Sequence, residues 1–495
     1  MRYRSASPQY CCHVVLALCI ALLSLCGSAG ATGYFVATNG SDANGGTTLA
    51  APFRHVAFAT ALAQPGDTID VRGGSYAERV IISRPGTPVA PITLRAYANE
   101  TPVLRSTGSG PTVYFYHPDC DEDVIGTGSG NVDCHAMHWL VQGLTLQGSS
   151  SGGGDGNAIK IDTPRVRLEG NKLCCAVADV VKLVRTANDV VIRNNEIWQD
   201  ATITTPGPNA QGVDIVGADR VQVIGNTVHD VPDIGIYAKG NARNALFERN
   251  RLVNIGRADD GHALMLGQST DAERLVDGDF ETYDGVVRNN LVVGATWSCL
   301  ATASSFNARF YHNTCYNTGQ TTHGSVLLSN ESELGRSGEQ IYLVNNIFYG
   351  SSARPVIKIG SSAMTDYSTL HIQRNLYYTG ASAPTFIASD FFNAVGFAQW
   401  QTNFSGLTGH VDTSIVGNPQ FVGTTGTTPL QLTATSPAIN AGDDPSPWVT
   451  QDYAGNGRPV GAGYDIGAWE YGASDRVYCD GFQNPSGCAS LILEP

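Results

Sequence analysis

The sequence predicts an all-β fold, a parallel β-helix of stacked coils, on three observations. The first is a phrase, Asn-x-apolar, that recurs eight times: Asn171-Lys-Leu173, Asn195-Glu-Ile197, Asn226-Thr-Val228, Asn250-Arg-Leu252, Asn289-Asn-Leu291, Asn313-Thr-Cys315, Asn345-Asn-Ile347 and Asn375-Leu-Tyr377. Its spacings are 24, 31, 24, 39, 24, 32 and 30 residues, a base period of 24 with insertions. A fixed period of this size is the mark of a repeat architecture. The second observation is that short alternating runs precede the phrase at 190–193, 221–224 and 245–248, with earlier runs at 158–162, 180–184, 212–216 and 234–238. Period-two runs rich in β-branched residues read as strands. With Asn, Gly and Asp turns and no helix between them, they stack as coils rather than form βαβ units. The third is composition: 15% charged residues and 56 glycines in 495 residues, against roughly 25% charged and ~7% Gly in an average domain.

The recurring Asn has a physical role in such a fold. Stacked inside a turn, its amide can hydrogen-bond the Asn of the coil above and below, as a ladder. Composition also excludes classes of function. With 42% hydrophobic residues the chain can build a large core, which disordered segments cannot. A formal net charge of −14 argues against sequence-independent nucleic-acid binding. Beyond the N-terminus there is no long apolar run of membrane-spanning length.

Residues 1–31 read as a signal peptide: Arg2 and Arg4, an apolar stretch at 14–25, and Ala29-Gly30-Ala31 as cleavage site. Cleavage would remove two arginines and no acid, taking the net charge from −14 to −16, and would leave eight of the twelve cysteines. An even count in an exported chain fits disulfides. The local pairs Cys120–Cys134, Cys299–Cys315 and Cys479–Cys488 are the candidates; a bridge between the neighbours Cys174 and Cys175 would be strained, and their pairing stays open. There is no C-x2-C pair to suggest zinc.

Two segments carry a family resemblance. Tyr34-Phe-Val-Ala-Thr-Asn-Gly-Ser-Asp-Ala-Asn-Gly-Gly, Ala51-Pro-Phe and Gly66-Asp-Thr-Ile-Asp-Val-Arg-Gly-Gly-Ser-Tyr76 resemble the opening of right-handed β-helix proteins of the pectate-lyase-like superfamily. The resemblance covers residues 34 to about 83 and implies a pectin-lyase-like solenoid, with the helix-like apolar spacing of 53–63 as a cap on its N-terminal end. At the far end, Ser436-Pro-Ala-Ile-Asn-Ala-Gly442, Gly455-Asn-Gly-Arg-Pro and Asp465-Ile-Gly-Ala-Trp-Glu470 resemble the choice-of-anchor Q module of exported bacterial β-helices. The expected organisation is a signal peptide at 1–31, a β-helix at 32–410, this closing module at 411–472 and a polar, Cys-bearing tail at 473–495. The tail is similar to those of exported gammaproteobacterial proteins. The expected location is secreted or cell-surface, as a monomer.

Stacking puts equivalent residues of successive coils about 4.8 Å apart. Aligning Ile159-Lys-Ile161, Val181-Lys-Leu183, Val213-Asp-Ile215 and Ile236-Tyr-Ala238 points the apolar residues inward. Lys160, Lys182, Asp214 and Tyr237 then form one outward row. Asp162 and Lys239 lie in a neighbouring row, and His262 begins the next strand. The chain has only five lysines, Lys160, Lys172, Lys182, Lys239 and Lys358, and three of them fall in this patch. The row reads either as solvated surface charge or as a carbohydrate-acting groove.

The resemblance implies the chemistry of the second reading. Polysaccharide lyases of this superfamily break uronate chains by β-elimination, with a cation (Ca2+ or Arg) on the substrate carboxylate and a Lys or Arg as base. A Lys serves as base only with a lowered pKa. Lys160 beside Lys182 would lower it and Asp214 would raise it. Lys182, followed by Val190-Val-Ile-Arg-Asn194, resembles the lysine coil of alginate and chondroitin lyases of polysaccharide lyase family six. Ile236-Tyr-Ala-Lys-Gly-Asn241 is similar to that family's Leu-Arg-His-Gly segment, two coils on and with Lys239 for Arg. Asp155-Gly-Asn-Ala-Ile-Lys160 resembles the Gly-Phe-Lys coil of family nine pectate lyases, whose calcium aspartates have no clear match. Asp259-Asp260-Gly261-His262 resembles the acid pairs of polygalacturonase-type hydrolases, without their Asn-Thr-Asp and Arg-Ile-Lys segments. The expected catalytic residues are therefore Lys182 as base, with Lys160 and Lys239. The expected substrate-binding residues are Asp214, Tyr237, His262 and Asp162, on an acidic polysaccharide. Ca2+ is possible without a clear site. A polysaccharide lyase, a non-catalytic glycan-binding surface protein and a glycoside hydrolase all remain open.

Overall fold

Eight successive coils, from residue 170 onward, turn on the same two-residue corner. Its first residue has a left-handed backbone: Gly170, Asn194, Gly225, Arg249, Asn289, His312, Asn345 and Arg374 all lie between φ +53° and +65°. Its second is a buried Asn. Asn171 donates from its backbone N–H (2.9 Å) and its amide Nδ2 (3.0 Å) to Oδ1 of Asn195. The pattern repeats through Asn226, Asn250, Asn290, Asn313, Asn346 and Asn375 and ends on Oγ of Ser414. In the computed structural model, which describes residues 30–120, 134–149, 155–199, 210–257, 261–271, 275, 278–333, 335–380, 382–426 and 428–473, these corners join three twelve-stranded sheets.

The ladder departs from the expected register at two corners. Asn290 and Asn346, not Asn289 and Asn345, are its rungs, and the spacings become 24, 31, 24, 40, 23, 33 and 29. Asn tolerates the left-handed conformation, so in each Asn-Asn pair the first takes the corner and the second the ladder. The displaced pair is used elsewhere. Asn289 donates to Gln451 O and accepts from Arg458, while Asn345 exchanges hydrogen bonds with the backbone of Asp443. Both hold the C-terminal segment against the outside of the solenoid.

Each coil contributes one strand to a base sheet, one to a side sheet after the corner, and one to a front sheet. The fold is thus the expected right-handed parallel β-helix. Alternate residues fill one continuous interior, from Ile69 and Val71 through Ile159, Leu183 and Ile215 to Phe386 and Trp400, all fully buried. At the N-terminal end the helix α1 (Val56–Leu62) buries Val56 and Ala59. The Glu78 carboxylate accepts the first two helical N–H groups, Val56 and Ala57, at 2.9 Å. It satisfies donors that no helical carbonyl can reach. At the other end the front sheet closes with an antiparallel strand, Phe392–Gly396 on Thr385–Ala388. A second cap, helix α2 (Phe397–Thr408), buries Trp400 and Phe404, with Trp400 stacked 5.0 Å from Phe386. This C-terminal helical cap was not among the sequence expectations.

The side sheet takes its last strand, Ile415–Val416, from beyond residue 410. Residues that follow return along the outside, where Leu430, Tyr453, Ala454, Ala468 and Trp469 pack with Leu291. The fully buried Arg458–Glu470 ion pair organises this segment. Disulfides join Cys120 to Cys134, Cys174 to Cys175 and Cys299 to Cys315. Cys479, Cys488 and almost all of the signal segment lie outside the described residues. No helix among the described residues is long and apolar enough to cross a membrane.

Candidate active site on the front sheet

The front sheet pairs Tyr114 with Lys160, Lys160 with Lys182, Lys182 with Asp214 and Asp214 with Tyr237. The outward row therefore has the register read from the sequence, and Lys239 stands beside it, paired with Val216. Two strand positions away from Tyr114, Asp162 accepts the Tyr114 hydroxyl on Oδ2. Beyond Tyr237 the row turns apolar: Met265, Ala301 and Leu327 follow. With Ile234 and Ala303 they form a cluster on the outer face of the sheet.

Burial separates the row into parts. Lys160 and Lys182 keep 20% and 21% of their side chains exposed. Asp214 and Tyr237 are each only 1% exposed. Tyr237 is a member of the apolar cluster, so its ring is taken up by Ile234 and Met265 rather than presented to a sugar. Asp162 is buried and engaged with Tyr114. His262 is buried two residues before its strand (Leu264–Leu266), packed 5.1 Å from Trp297 and 5.8 Å from His323. Of the seven residues expected to touch or transform substrate, the three lysines retain access. Asp214, Tyr237, Asp162 and His262 support the face from beneath.

The centre of the face is a charge cluster. Lys182 Nζ makes an ion pair with Asp214 Oδ2 and lies 3.3 Å from Asp179 Oδ2. Asp179 and Asp214 are both buried, and Asp214 Oδ1 has no hydrogen-bond donor in bonding geometry. Desolvation by itself would lower the lysine pKa; Asp214 and Asp179 outweigh it and hold the ammonium above its ordinary range. Burial pushes the Asp179 carboxyl well above the usual carboxylate range, Asp214 adds to this, and Lys182 offsets it only in part. Burial, then Asp214 and Asp179, also push the Tyr237 phenol up. The Lys182 ammonium is thus held protonated by two acids in direct contact with it, opposite to the lowered pKa that a lysine base needs.

Lys160 is held less tightly, with Asp155 at 3.5 Å and the Tyr114 ring centroid at 5.5 Å. Lys239 Nζ lies 5.3 Å from the Tyr237 ring centroid and 3.5 Å from Ser269 O. The acids of this face do not fit calcium, which takes six to eight oxygens, because the Lys182 ammonium already stands between Asp179 and Asp214. Three participants were not singled out from the sequence: Asp179, Trp297 and His323. Asp179 precedes Lys182 by three residues, a spacing that has no meaning on a strand. The turn into the strand brings the two together.

Residues 157–375 match the family described as right handed beta helix region. A 122-residue stretch, 24% of the chain, is 32% identical to the uncharacterized protein YwoF of Bacillus subtilis (strain 168), and the match spans about a quarter, 26%, of that relative. Among solved structures the chain is similar to pectate lyase Pel9A, with a TM-score of 0.53 at 18% identity over 89% of this chain and 96% of that one. It is also similar to XylC in complex with xylose, with a TM-score of 0.48 at 11% identity over 89% and 98% of the two chains. The likeness to Pel9A is one of fold.

Proposed function

We propose that this is an exported polysaccharide-acting protein that binds an acidic, uronate-containing glycan along the front sheet and cleaves it by β-elimination. The observation that carries the reading is the placement of the lysines. Lys160, Lys182 and Lys239 lie on one face within three coil steps, about 14 Å, in a chain of net charge −14. An acidic protein repels a polyuronate, and a local cationic strip overcomes that repulsion. Pectate lyase Pel9A, whose fold this chain shares, is named for the same class of reaction.

Within this reading the roles divide by environment. Elimination requires the C5 proton, α to the carboxylate, to become acidic. A fixed ammonium facing that carboxylate stabilises the negative charge that develops, and Lys182 is held as one. The base must reach the proton. Lys160, the neighbouring lysine outside the buried acid pair, takes that role, and Lys239 holds the chain further along. Residues 411–472, resembling the choice-of-anchor Q module, brace the outside of the solenoid in an exported protein.

A second reading is a non-catalytic glycan-binding surface, favoured by the burial of Asp214 and Tyr237 beneath the face. One experiment separates the two. The purified chain is incubated with polygalacturonate, alginate and chondroitin and followed by ultraviolet absorbance of the 4,5-unsaturated product. Product that disappears in Lys160→Ala supports the lyase. Retention on a uronate column without product supports the binder. New reducing ends without absorbance would make it a hydrolase, and neither retention nor product would sink the proposal.

A further inference from the structure

A cluster of different chemistry borders the front sheet. The strand Val113–Phe115, which carries Tyr114 beside Lys160, runs on through Tyr116 into His117-Pro-Asp-Cys120, a single 3-10 turn at Pro118–Cys120. Cys134-His135 returns to the same place. The Cys120–Cys134 disulfide ties the two ends together, and Thr186 on a later coil donates to Cys120 O at 3.2 Å. Three side chains meet there. His135 Nε2 lies 2.7 Å from Asp119 Oδ2, His117 Nδ1 lies 3.7 Å from the same oxygen, and the two imidazole centroids are 3.8 Å apart. The backbone N–H of Asp119 donates to His117 Nδ1 at 3.2 Å.

We propose that His117, Asp119 and His135 bind a divalent transition-metal ion of the zinc class. One ligand atom from each residue lies within 4.8 Å of the other two. Two nitrogens and one carboxylate oxygen are the donor set of an open zinc site, with the fourth position left for water or a ligand. Two imidazoles select against calcium and magnesium, which prefer oxygen. In a tetrahedral site with bonds of about 2.0–2.2 Å the donors stand about 3.3 Å apart. Reaching that spacing takes rotation of His135 and Asp119, whose side chains are both exposed. The disulfide removes the cost of bringing two loop ends together. This site is independent of the glycan reading.

The test uses the full, oxidised chain and Zn2+ alone, by calorimetry at neutral pH, with Co2+ substitution read by its visible d–d absorption. One ion per chain is expected. His117→Ala and His135→Ala should each weaken it at least about tenfold, a loss that even outer-shell changes reach in metal sites. His410→Ala is the control, because His371 and His410 also pack closely, at 4.2 Å between centroids, and should leave binding intact. A Zn2+ isotherm unchanged in the His117→Ala/His135→Ala double variant, or no binding at millimolar Zn2+, overturns the proposal. If a variant does not fold, the unmutated chain decides through histidine acylation mapped by mass. Zn2+ protection of His117 and His135 but not His410 supports the site, and equal labelling with and without Zn2+ overturns it.

Discussion

The Asn ladder and the front-sheet row are two polar stacks on the same coils, one buried inside a corner and one on the outer face. In the ladder every rung is neutral and its amide is matched. Asn226 Oδ1 accepts from both Asn195 N and Asn195 Nδ2, while its own Nδ2 donates to Ile192 O and to Asn250 Oδ1. In the front row the buried groups are ionisable and matched only in part. Asp214 Oδ1 lacks a donor, and Asp179, Lys182 and Tyr237 all have displaced pKa values. A fully satisfied polar stack is what a fold requires. An incompletely satisfied, titratable one is where a functional site is to be sought.

That contrast can be broken at either stack. The largest effect is expected in the ladder. Asn226→Ala strands the backbone N–H of Asn195 and the carbonyl of Ile192 in the interior, at about 1–3 kcal/mol per orphaned group. Denaturant unfolding should show a loss of about 3 kcal/mol or more, with uronate binding per folded molecule unchanged. Next comes Lys182→Met, expected to cost about 2–3 kcal/mol. That is below the 3–5 of a fully buried pair, since the lysine is a fifth exposed and Asp179 can take up a proton. Adding Asp214→Asn should recover part of the loss; no recovery would mean that packing rather than charge holds the cluster. An outward lysine on a bare surface would have cost within ±0.5 kcal/mol, so this measurement distinguishes the face from solvated surface.

The histidines behind the row give the third effect. Burial, with His323 adding, lowers His262 to about 3, and burial, then Lys358 and Arg354, lowers His323 to about 4. In the unfolded chain both take protons below about 6.5. The unfolded state therefore binds more protons, and stability should fall as pH drops from about 6.5 toward 4. The slope is up to about 1.4 kcal/mol per pH unit for each ring. His262→Phe should remove one ring's share of the slope, up to about 1.4 kcal/mol per pH unit, in thermal melts taken across that window, the buried His312 and others supplying the remainder; an unchanged slope would place the titration elsewhere. The smallest structural effect belongs to Lys160→Ala, within about ±0.5 kcal/mol, accompanied by loss of uronate turnover. Retained turnover on an established uronate substrate would remove Lys160 from the mechanism.

The legibility of these features follows their range along the chain. The register of Lys160, Lys182, Asp214 and Tyr237 was readable because strand period and coil stacking are both local rules, and only five lysines compete for attention. The rungs Asn290 and Asn346 were misplaced by one because either Asn of each pair satisfies the phrase. The choice falls to the corner, which needs a left-handed residue, and to the C-terminal segment, which captures Asn289 and Asn345. The contact of Asp179 with Lys182 and the trio of His262, Trp297 and His323 were not readable, since they are made by turns whose path no periodicity specifies.

By itself, then, the sequence determined the solenoid, its coil period, the N-terminal cap and the row on its face, because repetition of short patterns fixes which residues point in and which point out. Only the tertiary structure decided the electrostatic character of that row. Whether Lys182 is a base or a fixed cation depends on distances to Asp179 and Asp214 and on how much water reaches them. Those are properties of three-dimensional packing, where a shift of a few ångströms in a low-dielectric setting reverses the sign of a pKa change.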